Sequence, residues 1–428
     1  MRHRATNILF LGSGETGIEY LIEASFRDIA PDNVKISAHS LTAQAVLPEP
    51  AVKVSQQKGL VLRRTGPAHL DRHAGEQFDI IVTLDEKAKD KSPDIPGNPR
   101  RIYWQFEAMQ YVDKPTLTEA SISVALENSA IHKRDLVHIA TQFRSARELY
   151  HAPGTSTCIF QPEIFNPAKH LPLLAEVGFK CIELCCIMGT HSFPIDDEET
   201  LDELANVSKD VGVQVYSVHV PGNTTFWLPG SGYGRGRAAV DMLKYYADVA
   251  AKLGAHVVVL HAGRPWDLGI EEGEALLWDT LHELEEHALS LPCIYVWENG
   301  LPLPDHYDPQ YDFTFHTPEE HIEWIQQLNP GAFGLALDTG HSNLRGTTER
   351  YLAARSSRLR CLHLHDNDGK SDQHWLPGEG VIEWAGFRSK LDDAGYVGPL
   401  LLEAAPREAK TDIMATLRAS IASLDCIT

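Results

Sequence analysis

Acidic and imidazole side chains stand at the ends of several short apolar runs in the second part of the chain. Each of these side chains can ligate a divalent cation. Their recurrence at one position in successive runs is more regular than composition alone explains, which favours a shared site. From the third run onward the residues are His219, His261, Glu298, Asp338, His363 and Glu403.

Four of these residues form the ligand set that we expect first. Carboxylate oxygens and imidazole nitrogens at about 2.0–2.2 Å suit Zn, Mn, Co or Fe better than Ca. The two glutamates lie in apolar runs, where an ionised carboxylate must be paired or bound to a metal. No cysteine stands at these positions, which argues against a closed structural zinc. The four ligands are Glu298 in VWENG, Asp338 in LDTGH, His363 in LHLHD and Glu403 in LLEAA.

Further groups extend this predicted site. His341 lies in the turn that leaves the sixth run, and Asp372 and His374 share the loop after the seventh. With the histidines of the third and fourth runs they bring the candidates to nine, enough for two or three ions. A single histidine at a strand end is, taken alone, more often a hydrogen-bonded structural residue than a ligand. His365 follows His363 by two residues, and we expect its side chain to point away, toward the layer between strand and helix.

Eight apolar runs recur after residue 150, with an amphipathic segment between each pair. Near-continuous apolar strands are typical of a parallel sheet buried on both faces, and the segments between them supply the crossovers. Eight such units predict a (β/α)8 barrel, in which catalytic groups lie at the C-terminal ends of the strands. The runs are CIFQPEIF, KCIELCC, VQVYSVHV, HVVVLHAG, IYVWENG, FGLALDTGH, RCLHLHDND and PLLLEA.

The first 150 residues are organised differently. Strand-like runs alternate with helical patterns, a helix-like stretch covers 118–150, and the segment HAPGTST resembles a linker because of its Pro and Gly. The sequence therefore predicts an α/β protein with a smaller N-terminal domain on a parallel sheet, over 1–150, and a barrel over 155–428. The N-terminal strand-like runs are NILFLG, NVKISAHS, FDIIVTLD and RRIYWQF.

Composition limits the partners and the location. The 428 residues include 38 Lys and Arg against 59 Asp and Glu, and the formal charge of −21 disfavours nucleic acid as a partner. No segment reaches the roughly 20 apolar residues of a membrane span. The seven cysteines lie mostly in apolar runs, which indicates reduced core thiols and a cytoplasmic location. Cys185 and Cys186 lack the C-x-x-C spacing of a metal site.

The chain opens with a glycine motif that could indicate a dinucleotide site. The segment NILFLGSGETG places Gly12, Gly14 and Gly17 between a strand-like run and a helical pattern. A dinucleotide site also needs an acidic residue at the end of the second strand, for the ribose hydroxyls. VKISAHSL ends without one, so we predict no dinucleotide cofactor.

The loop after the third run of the barrel is a candidate lid or substrate loop. GNTTFWLPGSGYGRGR, over 222–237, is rich in glycine and carries Arg235 and Arg237. Arg264 follows the fourth run. These arginines could bind a phosphate or carboxylate of the substrate, although a flexible surface connection accounts for each of them equally well.

Residues 155–428 resemble the xylose-isomerase-like barrel superfamily, which includes sugar isomerases and epimerases, inosose dehydratases and endonuclease IV. The resemblance implies a catalytic metal held by the four ligands named first, with Glu298 and Glu403 moving the proton and His341 contacting substrate. In the endonuclease IV branch the nine positions hold three zincs. The segments that carry the resemblance are VWENG, LDTGHSN, LHLHDND, DQHWLPGEGVIEW and LLLEA.

Residues 7 to about 110 resemble the low-molecular-weight tyrosine phosphatase and arsenate reductase family. Catalysis in that family needs a Cys, an Arg six positions later and an Asp acid; this chain has Gly12, Ile18 and Ala108 there. Ser92 replaces a further Cys of the reductases. Because the thiolate is the nucleophile, the resemblance implies a catalytically inactive domain kept for docking, dimerisation or a contribution to the barrel's site.

Together these features predict a divalent-metal-dependent isomerase or epimerase, or a related dehydratase. Its substrate would be a small polyhydroxylated or hydroxy-keto molecule, and a homo-oligomer is compatible with the sequence. The alternatives are a multinuclear zinc phosphoesterase that uses all nine groups and, third, a binding or scaffold protein without chemistry.

Overall fold

The computed structural model divides into two compact units, one within Met1–Arg144 and one within Ser145–Leu328 and Ala332–Thr428. It describes residues 6–27, 30, 34–42, 47–62, 77–91, 99–104, 118–127, 129, 149–186, 193–221, 233–261, 270–301, 317–329, 331–353, 358–394, 396–408 and 412–428.

The N-terminal unit is a four-stranded parallel sheet with helices. The strands lie in the order β2-β1-β3-β4, and apolar side chains of β1, β2 and β3 form a core with the helix that follows β1. The four predicted strands and the parallel sheet are confirmed. Strand bounds are β1 Thr6–Gly12, β2 Val34–Ser40, β3 Ile80–Thr83 and β4 Arg100–Tyr103; helices span Ile18–Arg27, Glu49–Gln57, Glu86–Lys91 and residues 119–127.

The glycine motif forms the turn between β1 and the first helix. Gly14 and Gly17 have φ angles of 89° and 71°, a backbone conformation that residues other than glycine rarely adopt. A Cβ atom at Gly12 would lie 2.5 Å from the carboxylate of Glu19. The glycines therefore have local steric reasons that do not involve a nucleotide.

The second unit is an eight-stranded parallel barrel, which confirms the predicted fold class. Its strands lie in the order β11-β10-β9-β8-β7-β6-β5-β12. Backbone hydrogen bonds from Leu364 N to Leu401 O and from Glu403 N to Leu364 O connect β11 to β12. The strands are β5 Pro153–Ser156, β6 Cys181–Cys185, β7 Gln214–His219, β8 Val257–His261, β9 Ile294–Glu298, β10 Phe333–Asp338, β11 Leu359–His363 and β12 Leu400–Leu402.

Helices cover the strands from outside, and the main hydrophobic core lies between the two layers. Asn166 caps the start of the first helix, because its side chain accepts a hydrogen bond from Lys169 N, and Gly178, with φ 115°, caps its end. The barrel helices span Pro167–Val177, Glu198–Val211, Tyr233–Leu253, Ile270–Ala288, Pro318–Gln327, Thr339–Leu344, Thr348–Ala353, Phe387–Asp393 and Ile413–Ser423; 3₁₀ turns span Thr157–Phe160 and Leu424–Cys426.

The first barrel strand differs from the prediction. CIFQPEIF begins in a 3₁₀ turn, and the strand is Pro153–Ser156, within the segment interpreted as a linker. Position 154 of this strand needs a glycine because the neighbouring strand leaves no space for a side chain. A Cβ atom at Gly154 would lie 2.7 Å from Cys181 Sγ. Most of the helix expected over 118–150 lies outside the described residues. Among the described residues, no helix is long and apolar enough to cross a membrane.

Candidate metal centre

The strand ends of the barrel bring the predicted ligands to one place. Five of them are the last residues of consecutive strands β7 to β11, and the sixth follows β12 directly. Because parallel strands share their C-terminal end, these side chains meet at one mouth of the barrel. In chain order they are His219, His261, Glu298, Asp338, His363 and Glu403.

The central group consists of Glu298, Asp338, His363 and Glu403. One ligand atom from each lies within 4.8 Å of the others. His363 Nδ1 is 3.1 Å from Glu298 Oε2 and 3.1 Å from Glu403 Oε2. The first three residues are buried and Glu403 is partly exposed, so the group is open on one side. These are the four ligands expected first.

Two histidines adjoin the central group through Glu298. We call His219, His261 and Glu298 the histidine group. The Nε2 atoms of both imidazoles lie 3.5 Å from Glu298 Oε2, and they are 3.3 Å from each other. Glu298 therefore belongs to both groups.

A third cluster, the loop group, lies on the other side of Asp338 and consists of His341, His365, Asp372 and His374. Asp372 Oδ2 is 3.5 Å from His341 Nε2 and 3.0 Å from His374 Nε2. His341 Nδ1 also lies 3.3 Å from Glu298 Oε1. All nine predicted ligands thus fall within three adjoining groups.

The expected direction of His365 was wrong. Its Nε2 lies 2.9 and 2.8 Å from the two carboxylate oxygens of Asp338, and its ring stacks on His374 with centroids 4.0 Å apart. His365 lies two residues beyond the end of β11, and its ring turns toward the carboxylate of Asp338 instead of the layer between strand and helix. Gly340 makes room for the ring, because a Cβ atom there would lie 1.9 Å from His365 Cε1.

Buried polar atoms without hydrogen bonds support a bound cation. Within the described part of the chain, neither oxygen of Glu298 has a hydrogen-bond partner, and neither has His363 Nδ1 or Asp372 Oδ1. Yet Glu298 faces four imidazoles at 3.1–3.5 Å. Buried polar atoms left unpaired cost stability, and a shared cation would satisfy them together. The residues present therefore fit a divalent metal.

Imidazoles and carboxylates shift one another's protonation. Burial opposes the charged form of His219, yet Glu298 and the glutamates around it raise its pKa to about 9. Burial opposes the charge of His374 too, and Asp372 with other carboxylates raises its pKa to about 10. Burial lowers the pKa of His261 to about 4. Protons and a metal ion would compete for these nitrogens.

Backbone contacts fix Asp338 at the end of β10. Asn299 accepts from Asp338 N at 2.7 Å and donates to Asp338 O at 3.0 Å. Asp338 Oδ1 accepts from His341 N at 2.6 Å and caps the following helix. These contacts leave the second oxygen, Oδ2, for His365 or a metal ion.

A buried aspartate, Asp366, organises the loop that carries Asp372 and His374. Its carboxylate accepts hydrogen bonds at 2.9–3.1 Å from four donors. Sequence reasoning did not single it out, although HDND carries an acid directly after an apolar strand. The donors are the backbone amides of Asn367, Gly378 and Ile382 and the indole nitrogen of Trp384.

Glu183 was also missed. It lies in β6, is fully buried, and its Oε2 is 2.9 Å from His363 Nε2. The signal was available, because KCIELCC places an acid inside an apolar strand, as VWENG does with Glu298.

Among the predicted substrate arginines, Arg237 has a described side chain, and the side chains of the other two lie outside the described residues. Arg237 lies in the helix Tyr233–Leu253 and pairs with Asp241 at 2.8 Å and Glu283 at 2.7 Å. The side chain of Arg235, all of Arg264 and most of the loop over 222–237 lie outside the described part of the chain. Their substrate role stays a prediction.

Proteins of similar sequence include the uncharacterized protein MJ1614 of Methanocaldococcus jannaschii, which is 27% identical over 247 residues, 56% of this chain and 86% of its own length. D-psicose 3-epimerase of Enterocloster bolteae is 23% identical over 244 residues, 55% of this chain and 75% of its own.

Solved structures share the fold of the barrel. A D-tagatose 3-epimerase-like protein superposes with a TM-score of 0.52 and is 21% identical in sequence. The IOLI protein, solved with a bound zinc atom, superposes with a TM-score of 0.51 and is 19% identical. Each covers 64% of this chain and 98% of its own. The resemblance of residues 7 to 110 to phosphatases stays a prediction. The family model of the xylose isomerase-like TIM barrel matches residues 171–424, more than half of the chain, and this protein therefore belongs to that family.

Proposed function

We propose that this chain is a divalent-metal-dependent epimerase or isomerase, or a related dehydratase, acting on a small sugar-like or hydroxy-keto substrate by proton transfer. The central group carries the proposal, because two glutamates, an aspartate and a histidine converge at an open barrel mouth. The relatives support the reaction class: D-psicose 3-epimerase and, at 25% identity, a fructoselysine 3-epimerase of Escherichia coli O157:H7.

The two glutamates have the positions that acid and base need. Glu298 and Glu403 approach the same nitrogen of His363 from separate strands, so both border one space. One carboxylate can remove the proton of a carbon beside a carbonyl while the other returns a proton. Asp338 and His363 complete the ligand set, and His341 orients the substrate. A divalent cation, when bound, polarises the carbonyl oxygen and makes that proton more acidic.

Deuterium exchange tests the proposal. The full chain is stripped with a chelator, reloaded with Mn²⁺, Zn²⁺, Co²⁺ or Fe²⁺, and incubated in D₂O with a panel of ketoses and hydroxy-ketones. We expect deuterium to enter a substrate at the carbon beside the carbonyl only with the reloaded protein. Exchange that persists after chelation, or no exchange with any member of the panel, would contradict the proposal.

The histidine and loop groups favour a second candidate, a multinuclear phosphoesterase. They adjoin the central group through Glu298 and Asp338, and together they offer enough donors for three ions. The charge of −21 argues against a nucleic-acid substrate. Elemental analysis separates the candidates: one ion per chain supports the first, and three ions together with hydrolysis of bis(p-nitrophenyl) phosphate or abasic DNA support the second.

A further inference from the structure

Glu183 lies beneath the central group, inside the barrel. Its side chain is fully buried on β6, and its Oε2 accepts a hydrogen bond from Ser217 Oγ at 2.8 Å on the neighbouring strand β7. The same oxygen is 2.9 Å from His363 Nε2, on β11. A carboxylate from the second strand thus reaches a proposed ligand on the seventh.

The ring of His363 connects this carboxylate to the metal site. Nε2 faces Glu183, whereas Nδ1 lies 3.1 Å from both Glu298 and Glu403. A neutral imidazole carries one N–H, and an ionised carboxylate can only accept. Carboxylates face both nitrogens, so a metal held by Nδ1 at the central group would leave the single N–H on Nε2, where Glu183 accepts it.

Packing alone does not account for a glutamate at this position. Burying a carboxylate costs several kcal/mol unless its oxygens are well paired. Glu183 Oε1 is buried and has no hydrogen-bond partner among the described residues. An apolar side chain would fill the barrel interior at a lower cost, so the contact with His363 calls for another role.

We propose, on the basis of the metal site proposed above, that Glu183 is a positioning residue. It holds His363 in the tautomer and orientation that a metal ion requires. Carboxylate–histidine–metal arrangements of this kind also make the imidazole a stronger donor, and losing the carboxylate typically weakens metal binding by about 10–100-fold. Glu183 would contact neither substrate nor metal itself.

The test measures metal affinity in the full chain without using turnover. Mn²⁺, Zn²⁺ and Co²⁺ are titrated against a chromophoric chelator with wild type and Glu183→Gln, which keeps the shape and removes the charge. We expect about 10–100-fold weaker binding and a shifted Co²⁺ absorption band, with the metal-free melting temperature no lower than wild type. Glu19→Gln alters another fully buried glutamate, in the N-terminal unit, and should leave affinity unchanged.

Two further variants separate the positioning role from direct metal binding at Glu183. Ser217→Ala removes one contact of Glu183 and should weaken binding less than E183Q. Cys361, within 4.8 Å of Glu183 and His363, could instead complete a direct cation site with them. Cys361→Ser should therefore leave affinity unchanged, and a loss as large as that of E183Q would overturn the positioning role. Equal affinity in wild type and E183Q would overturn it too, whereas a wild type that binds no metal would refute the proposed function itself.

Discussion

Both units of this protein place acidic side chains at the C-terminal end of a parallel sheet, yet only one of them assembles a candidate metal site. In the N-terminal unit the acids are Glu19, after β1, and Asp85, after β3. Both are buried. All groups of three or more candidate ligands found among the described residues lie in the barrel.

Neither of the two N-terminal acids belongs to a group of three or more candidate ligands among the described residues. Asp85 accepts hydrogen bonds from Ser13 N and Ala88 N, each at 2.8 Å, and so holds the loop after β1. Glu19 has no hydrogen-bond partner for either oxygen within the described residues, and burial raises its pKa to about 8. A carboxyl group that stays protonated at neutral pH needs no cation.

The barrel differs because donors from different strands converge. Glu298 is as deeply buried as Glu19, but four imidazoles surround it and hold its pKa well below the usual range against the effect of burial. A buried acid at a strand end is therefore a weak signal alone. It becomes a site when neighbouring strands contribute imidazoles and further carboxylates to the same space.

Replacing Glu298 or Glu19 by glutamine, in separate variants, tests the comparison most directly. Glu298→Gln removes the carboxylate common to the central and histidine groups, so we expect bound metal to fall below half of wild type. Turnover should fall by about 10²–10⁴-fold if Glu298 is also an acid or base. Metal content is measured by elemental analysis after gel filtration. The E19Q variant should retain full metal content, and equal losses in the two variants would remove the distinction.

The loop-holding aspartates provide a second test, on stability. Asp85 supports two backbone amides, whereas Asp366 satisfies three amides and the Trp384 indole. Buried donors left unpaired cost about 1–3 kcal/mol each. Calorimetry of Asp366→Ala should therefore show a destabilisation of about 3 kcal/mol or more, and Asp85→Ala a smaller one. A larger effect of D85A would show that hydrogen-bond number does not determine the difference.

Sequence patterns predicted most of the barrel because its strands are buried on both faces. Seven of the eight apolar runs coincide with strands. Five of these strands end in a candidate ligand that joins the site, and Glu403 directly follows a sixth. The exception, Pro153–Ser156, has almost no apolar content. Its glycine is required by the distance to Cys181, a tertiary contact that local composition cannot reveal.

Side-chain direction and contacts across the barrel were harder to predict. The contact of Glu183 with His363 forms only when β6 and β11 face each other across the barrel interior. The two residues are 180 positions apart in the sequence. Asp366 acts through amides that a folded loop brings to it. Neither arrangement follows a fixed spacing in the sequence, because the first depends on barrel closure and the second on the fold of the loop after β11.

The pH dependence of stability should distinguish Glu19 from the paired acids of the barrel. Burial raises its pKa to about 8 from a value near 4.5 in the unfolded chain. Between these values the folded chain retains a proton that the unfolded chain releases, so stability falls as pH rises, by up to about 1.4 kcal/mol per pH unit. In E19Q this contribution is absent. The free energy of unfolding of both proteins is measured with urea from pH 5 to 9. We expect the stability of E19Q relative to wild type to increase with pH up to about pH 8. A difference that does not change with pH would contradict the raised pKa of Glu19.

The smallest effect is expected at Arg237, on a helix outside the strand-end groups. Its guanidinium is largely exposed and shares surface ion pairs with Asp241 and Glu283, and such pairs contribute little to stability. If the chemistry is confined to the strand ends, Arg237→Ala should leave the melting temperature and metal affinity unchanged and KM within about twofold of wild type. Lys244, which pairs with Glu283 at 2.6 Å, provides the matched control as Lys244→Ala. A KM that rises tenfold in R237A but not in K244A would establish the substrate role predicted for this arginine, and would extend the functional region of the barrel beyond its strand ends.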